Sequence, residues 1–381
     1  MNNLPFFLAS FTWNYGLGMT YVVVPLYAHH LGLSGAQIGT LFSTPVLIQM
    51  AVNLAGGAYA DRVGGRRMML VSSLLMALAA LGFLGARGFW MLLGGQVVMV
   101  VSRATFWPAT WSMASELPGE RSVQLGRLNS ITNLGQIIGT GSCGFVMALA
   151  GYSAAFAVLA GAGIATWALG LSGRRVAHKP RHGGGVFAAY RPLLGEPIIY
   201  YAVMCAYLSA LPISLSMSFY PLLLEHYGHG EEAAGMLIAL RAVGAISAGL
   251  LAARWVTSGP DSAWPIYAGL AVVLSVGAMP LIPSTVPTAA LMLLAGLGSG
   301  LMTLYFQITI SEASGAERRG SAMALGGLGW GLSHFSTPLI MGFLADRYGI
   351  VAGFYVLGVL GLGFVVTIAL ARRWAFSGRR R

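Results

Sequence analysis

The sequence predicts an all-α integral membrane protein, with twelve transmembrane helices in two six-helix bundles. Three observations carry that expectation. Of 381 residues, 56% are hydrophobic and only 9% charged, whereas soluble domains carry about 25% charged residues. Glycine fills 53 positions, about twice its usual share, and small residues let helices approach closely in lipid. Crossing the hydrocarbon core takes about 20 apolar residues, or roughly 32 with a loop, so the chain length suits twelve crossings. These features exclude a cytosolic enzyme and a disordered tail, and with two cysteines they exclude a disulfide scaffold.

Apolar spans are predicted at 5–28, 36–60, 68–86, 89–113, 126–149 and 153–172, then at 198–224, 233–256, 263–283, 287–312, 320–345 and 350–371. The first follows Met1-Asn2-Asn3, which has no basic region, and it is long enough to span, so no cleavable signal peptide is expected. It brings Trp13, Asn14 and Tyr21 into the membrane. The third, sixth, ninth and twelfth spans are almost purely apolar. The fourth carries Arg103, Trp107 and Trp111, which share one side at i, i+4 and i+8. The fifth carries Asn129, Asn133, Gln136 and Thr140, a single polar face at helical spacing. In the second half, Tyr207 lies in the seventh span, Arg241 in the eighth, Gln307 in a polar run of the tenth, and Trp330 and His334 one turn apart in the eleventh. Uncompensated polar groups in hydrocarbon cost several kcal/mol, so these faces must meet other helices or a wet cavity.

Net charge is +11, which by itself would suit nucleic acid. Position argues otherwise. With the N-terminus inside, 18 of the 22 basic residues fall in cytoplasmic loops or the C-terminal tail, and only Arg87 and Arg347 fall outside. That asymmetry obeys the positive-inside rule. The basic excess therefore reflects topology, with the lipid bilayer and its anionic head groups as partner and no nucleic acid. A multi-pass protein of the plasma (inner) membrane, with both termini cytoplasmic, is expected.

The longest polar interruption, residues 173–197, contains Gly183-Gly184-Gly185 and five basic residues. It reads as a cytoplasmic linker between an N-terminal bundle at 1–172 and a C-terminal bundle at 198–381. A weak repeat supports this division: Ser115-Glu116 ends the fourth span and Ser311-Glu312 the tenth.

After the second span comes Gly57-Ala58-Tyr59-Ala60-Asp61-Arg62-Val63-Gly64-Gly65-Arg66-Arg67. This segment resembles the signature loop of the major facilitator superfamily, G-x-x-x-D-[RK]-x-G-[RK]-[RK]. Gly57, Asp61, Arg62, Gly64 and Arg66 match, and Gly65 replaces a basic residue. Leu31 through Gly39 also resembles the outer loop of that family, so the likeness covers the whole chain. It implies a secondary transporter that exposes a central solute site alternately to either side. It further implies that Asp61 docks near the start of the eleventh span, around Gly320 and Ser321. Arg62 and Arg66 would then pair with acids such as Glu116. The charges can alternatively serve only to fix topology. Helix 5 meets a drug-antiporter pattern at Gly135, Gly139 and Gly144, but Thr140 replaces its proline and Cys143 a glycine.

All 11 acidic residues fall in loops or at span ends, so Arg103 and Arg241 lie in spans without an evident carboxylate counter-ion. Forked guanidinium contacts to carboxylate or phosphate are strong and selective. Either arginine can hold an anionic solute, or can bond to carbonyls and snorkel. His334 is the single histidine deep in a span; it can relay a proton or serve as a packing residue. The candidate solute contacts are therefore Arg103, Trp107, Trp111, Arg241, His334, Trp330, Asn14, Asn133, Gln136, Tyr207 and Gln307. The candidate gate is Gly57, Asp61, Arg62, Gly64, Arg66 and Glu116. His226, His229, Glu231 and Glu232, with His29 and His30 nearby, read as a solvated outer loop more than a metal site. No enzymatic motif, cofactor or metal is expected.

The expected function is secondary transport of a small organic solute, an anion by the arginine argument, with a coupling proton or exchanged anion. A monomer is expected. Proton-coupled multidrug efflux is the alternative within transport, although it ordinarily uses a membrane-embedded carboxylate. A non-transporting receptor or assembly partner that has kept the fold is the alternative from another class.

Overall fold

In the computed structural model, residues 3–172, 190–252, 255–314 and 319–376 are described, without the side chains of 53–63, 121–122, 251–252 and 319–320. Asp61, Arg62 and Gly57, three of the candidate gate residues, lie on the helix but outside the described side chains.

Thirteen α-helices and two 3-10 turns make up the described residues, with no strand. The first half contains α1 (Leu4–His30), α2 (Gly35–Val63), α3 (Gly65–Leu84), α4 (Phe89–Ser115) and α5 (Arg121–Ser172). The second contains α6 (Pro197–Ser216), α7 (Tyr220–His226), α8 (Glu231–Ala252), α9 (Trp264–Ala278), α10 (Thr285–Ala313), α11 (Arg319–Gly326), α12 (Leu328–Tyr348) and α13 (Ile350–Ala375). These fill all twelve predicted spans. The fifth and sixth spans are the two arms of α5, joined at Gly151 with φ 76° and ψ 179°. The seventh span breaks into α6 and α7, and the eleventh into α11 and α12. Prolines sit in the first two positions of α1, α6, α7 and α9, where a missing N–H costs nothing because that group has no intrahelical partner.

Nine helical stretches among the described residues are long and apolar enough to cross a membrane, one of them, Val123–Ser172, extending over 50 residues. The helices α1 and α12 are not among the nine, because Ser10, Thr12, Asn14 and Thr20 dilute the first and Ser333, His334, Ser336 and Thr337 the second. The chain is a multi-pass membrane protein.

Two compact units emerge: Met1–Gly183 with Gly228–Ala239, and Gly184–Tyr227 with Leu240–Arg381. The first turns of α8 thus group with the first unit, where the sequence gives only a division at the linker. Absent side chains explain this grouping. A Cβ at Gly144 of α5 would stand 2.0 Å from the Glu231 carbonyl oxygen, and one at Gly235 would stand 2.9 Å from that of Thr140.

Within the first unit α1 packs along α5, and α3 packs on α4 and α5. Gly139 lets α5 approach the α1 backbone: a Cβ there would lie 1.9 Å from the Tyr15 carbonyl oxygen. Beside it, the Thr140 hydroxyl donates to the Gly18 carbonyl at 3.0 Å. Between α3 and α4, the Ser72 and Ser102 hydroxyls each donate to the other's carbonyl, at 2.8 and 2.7 Å. Hydroxyls that satisfy themselves across a crossing are the usual glue of helices in lipid.

The second unit is built alike. Its α10 packs on α9 and α6, and α12 on α6 and α13. Gly296 of α10 meets α8 where a Cβ would be 2.0 Å from the Arg241 carbonyl oxygen. The Ser299 hydroxyl donates to the Ser209 carbonyl at 2.6 Å. Like Gly151 between the fifth and sixth spans, Gly349 turns α12 directly into α13, with φ 85° and ψ 156°. Gly32 and Gly228 both have φ 74°. Such φ values suit glycine alone, and their recurrence at matching corners strengthens the internal repeat.

Candidate functional site

In the first unit, Arg103 projects from α4 and is half-buried. Its NH2 group donates to the side-chain carbonyl of Gln49 on α2, and it stands within electrostatic reach of Tyr21 on α1. The local sequence explains the placement. Gln49 is the one polar side chain in the apolar run Val46–Val52, so its amide needs a partner inside the unit. A guanidinium supplies several donors in a planar fork, and Gln49 offers an amide N–H beside them. Together they form a donor-rich corner suited to a carboxylate, sulfonate or phosphate oxygen.

One turn further along α4 stands an aromatic ladder. Trp13 and Phe106, both fully buried, stack at 3.8 Å with an interplanar angle of 5°. Trp107 meets both edge-on, with centroids at 5.6 Å from Phe106 and 6.3 Å from Trp13. Trp111 follows at 5.6 Å from Trp107 and is 55% exposed. The rungs therefore run from a buried anchor to an open end, on the side of α4 that carries Arg103.

Asn14, predicted to face the solute, is fully buried. Its amide donates to the Ser10 carbonyl at 2.9 Å, while its Oδ1, like Nε1 of Trp13, is buried without a hydrogen-bond partner among the described residues. On α5, Asn133 donates to the Asn129 carbonyl at 2.8 Å. Gln136 is half-buried, and the end of the polar face at Thr140 is taken up by α1.

In the second unit three of the predicted residues bond to serines of the facing helix. The Trp330 indole N–H donates to the Ser209 hydroxyl at 2.8 Å. Nδ1 of His334 lies 3.0 Å from the Ser214 hydroxyl, and the Tyr207 hydroxyl lies 2.8 Å from that of Ser336. These bonds form a polar seam between α6 and α12. Trp330 and His334 are one turn apart because both face α6. Arg241 is 2% exposed, within electrostatic reach of the buried Tyr220. Gln307, by contrast, is exposed on α10 and does not join the seam.

Of the candidate gate, Gly64 has φ 87° and ψ 137° and starts α3. Arg66 departs from expectation. Its Nε donates to the Gly170 carbonyl at 3.1 Å and its NH2 to that of Leu171 at 2.7 Å, whereas Glu116 is exposed. The last carbonyls of a helix lack intrahelical partners and carry the negative end of its dipole. At the end of α5 they attract this guanidinium, with no carboxylate required. Among the described residues, no three His, Cys, Asp or Glu side chains gather as a metal site would need.

A family model described as Major Facilitator Superfamily matches residues 6–338 and 202–378. The quinolone resistance protein NorA of Staphylococcus aureus is 26% identical over 133 residues, which cover 34% of this chain and 34% of that protein. Multidrug resistance protein 2 of Bacillus subtilis (strain 168) is 30% identical over 138 residues, covering 34% of this chain and 33% of that protein. The matched segment thus spans about a third of these curated relatives. Among solved structures, a bacterial homolog to the human lysosomal transporter Spinster, in an inward-facing and unoccupied conformation, gives a TM-score of 0.77 at 16% identity, covering 98% of each chain. The nucleoside transporter NupG gives 0.77 at 13% identity, covering 99% of each. At such identities the likeness is one of fold.

Proposed function

The chain belongs to the major facilitator superfamily and is a transporter, not an enzyme, and we propose that it carries a small organic anion across the membrane by alternating access. One observation supports the charge of the solute above the others: Arg103, half-buried on α4, donates to the neutral side-chain carbonyl of Gln49, in a chain whose acids all lie in loops or at span ends. A guanidinium at a helix centre costs about 2.5–3.5 kcal/mol on insertion scales. A solute anion would offset part of that cost while bound. Gln49 and the half-buried Gln136 supply neutral polarity, and His334 is proposed as the group that passes a proton or meets the solute in the second unit. Asp61, with Gly57, Arg62 and Gly64, is proposed to bias the transport cycle. The membrane is proposed to be the plasma membrane, with both termini cytoplasmic.

A thermal-stability screen of the purified protein tests this reading, because a ligand of the native state raises apparent stability. Organic anions should raise the melting temperature of the wild-type protein and leave that of Arg103→Gln unshifted. Stabilisation by cations alone would overturn the anion assignment. The second reading is multidrug efflux, favoured by the names of the Staphylococcus and Bacillus relatives. It predicts stabilisation by hydrophobic cations that survives Arg103→Gln.

A further inference from the structure

We infer that the transported anion carries a planar aromatic ring, which joins the α4 ladder at Trp107 and Trp111. This rests on the anion reading and deepens it by naming the substrate class: an aryl carboxylate or aryl sulfonate with a short spacer. Spacing is the first support. Trp107 follows Arg103 by one helical turn, about 6 Å along the axis, so one short molecule can reach both the guanidinium and the indole.

Rigidity is the second. Trp107 is held edge-on by Phe106 and Trp13, and those two rings are themselves stacked and fully buried. An indole so braced has little rotamer freedom left to lose when a ligand arrives, which lowers the entropic cost of binding. The third support is the open end. Trp111 extends the ladder and is 55% exposed, so aromatic surface remains for one more ring. Aliphatic anions would gain the charge contact but not the ring geometry that aromatic pairs prefer.

Matched acids separate ring from charge: 3-phenylpropionate and 3-cyclohexylpropionate, titrated against the full-length protein in detergent by calorimetry. The aromatic acid should bind about 2–12-fold more tightly, the range that aromatic pairing supplies. In Trp107→Leu the ratio should fall to about one, with the cyclohexyl acid little changed. In Trp111→Leu, at the exposed end, the ratio should fall at least by half, which serves if Trp107→Leu does not fold. Equal binding of the two acids to wild-type protein overturns the inference, as does a ratio that survives both substitutions, or binding of neither acid at millimolar concentration. Arg103→Gln should weaken both acids alike. If it weakens neither, the anion reading has failed, independently of the ring.

Discussion

The two units use similar polar residues in opposite ways. In the first, Arg103, Gln49 and Trp107 are all half-buried and lead outward to an exposed Trp111. In the second, Trp330 is tied to Ser209, Tyr207 to Ser336 and His334 to Ser214. One arrangement presents donors and aromatic faces; the other satisfies its polar groups across a helix crossing. A polar side chain in a membrane span therefore has two distinct uses, and only its partners tell which applies. Recognition residues should cost affinity when removed, whereas the seam residues Trp330 and Tyr207, with their serine partners, should cost stability.

The backbone crossings set the outer limit of this contrast, since both units depend on them equally. Gly139→Leu and Gly296→Leu should each abolish a folded, monodisperse protein in size-exclusion chromatography. Overpacking ordinarily costs about 1–3 kcal/mol, and here the added Cβ would meet backbone at 1.9 and 2.0 Å. A well-folded variant of either kind would mean that the helices can slide apart.

Ser209→Ala comes next. It strands the Trp330 N–H, which costs about 1–3 kcal/mol when buried. The melting temperature should fall clearly while the shift induced by bound solute stays as in wild type. Loss of solute binding at normal stability would move the seam into the recognition class. Tyr207→Phe should cost less, about 0.5–1.5 kcal/mol for one hydrogen bond, again seen in stability and not in transport. The smallest effect is expected at Arg66→Gln, which removes the cation from the carbonyl end of α5. About 0.3–1 kcal/mol is at stake there, and because salt screens such a contact, the difference from wild type should shrink in high-salt buffer.

Much of this fold is legible from hydropathy alone, because lipid leaves a spanning segment no choice but to bond its own backbone. All twelve spans, the glycine excess and the ladder spacing on α4 can be read directly. Other features depend on partners distant in sequence. Gln49 lies 54 residues from Arg103, and the one hint of it is an amide stranded in an apolar run. Arg66 invites a pairing with Glu116 because a sequence displays carboxylates but not unsatisfied carbonyls; its real partners are the Gly170 and Leu171 backbones. The break between α6 and α7 is hidden as well, since Met217, Ser218 and Phe219 continue the apolar run and Pro221 takes an N-terminal position that proline tolerates. Asn14 shows a further feature that its polarity does not reveal: its amide N–H is turned back on its own helix.

The most direct test of the charge recognition proposed for the first unit is solute flux in proteoliposomes. Wild-type protein, Arg103→Lys and Arg103→Gln would be compared for uptake of labelled organic anions and of labelled hydrophobic cations. Wild-type protein should accumulate anions. Arg103→Gln should lose about 10–100-fold of that flux, the scale of a charged hydrogen bond, and Arg103→Lys should recover only part of it, because an ammonium cannot fork. Anion flux that is unchanged in Arg103→Gln, or transport confined to cations in all three proteins, would contradict the account.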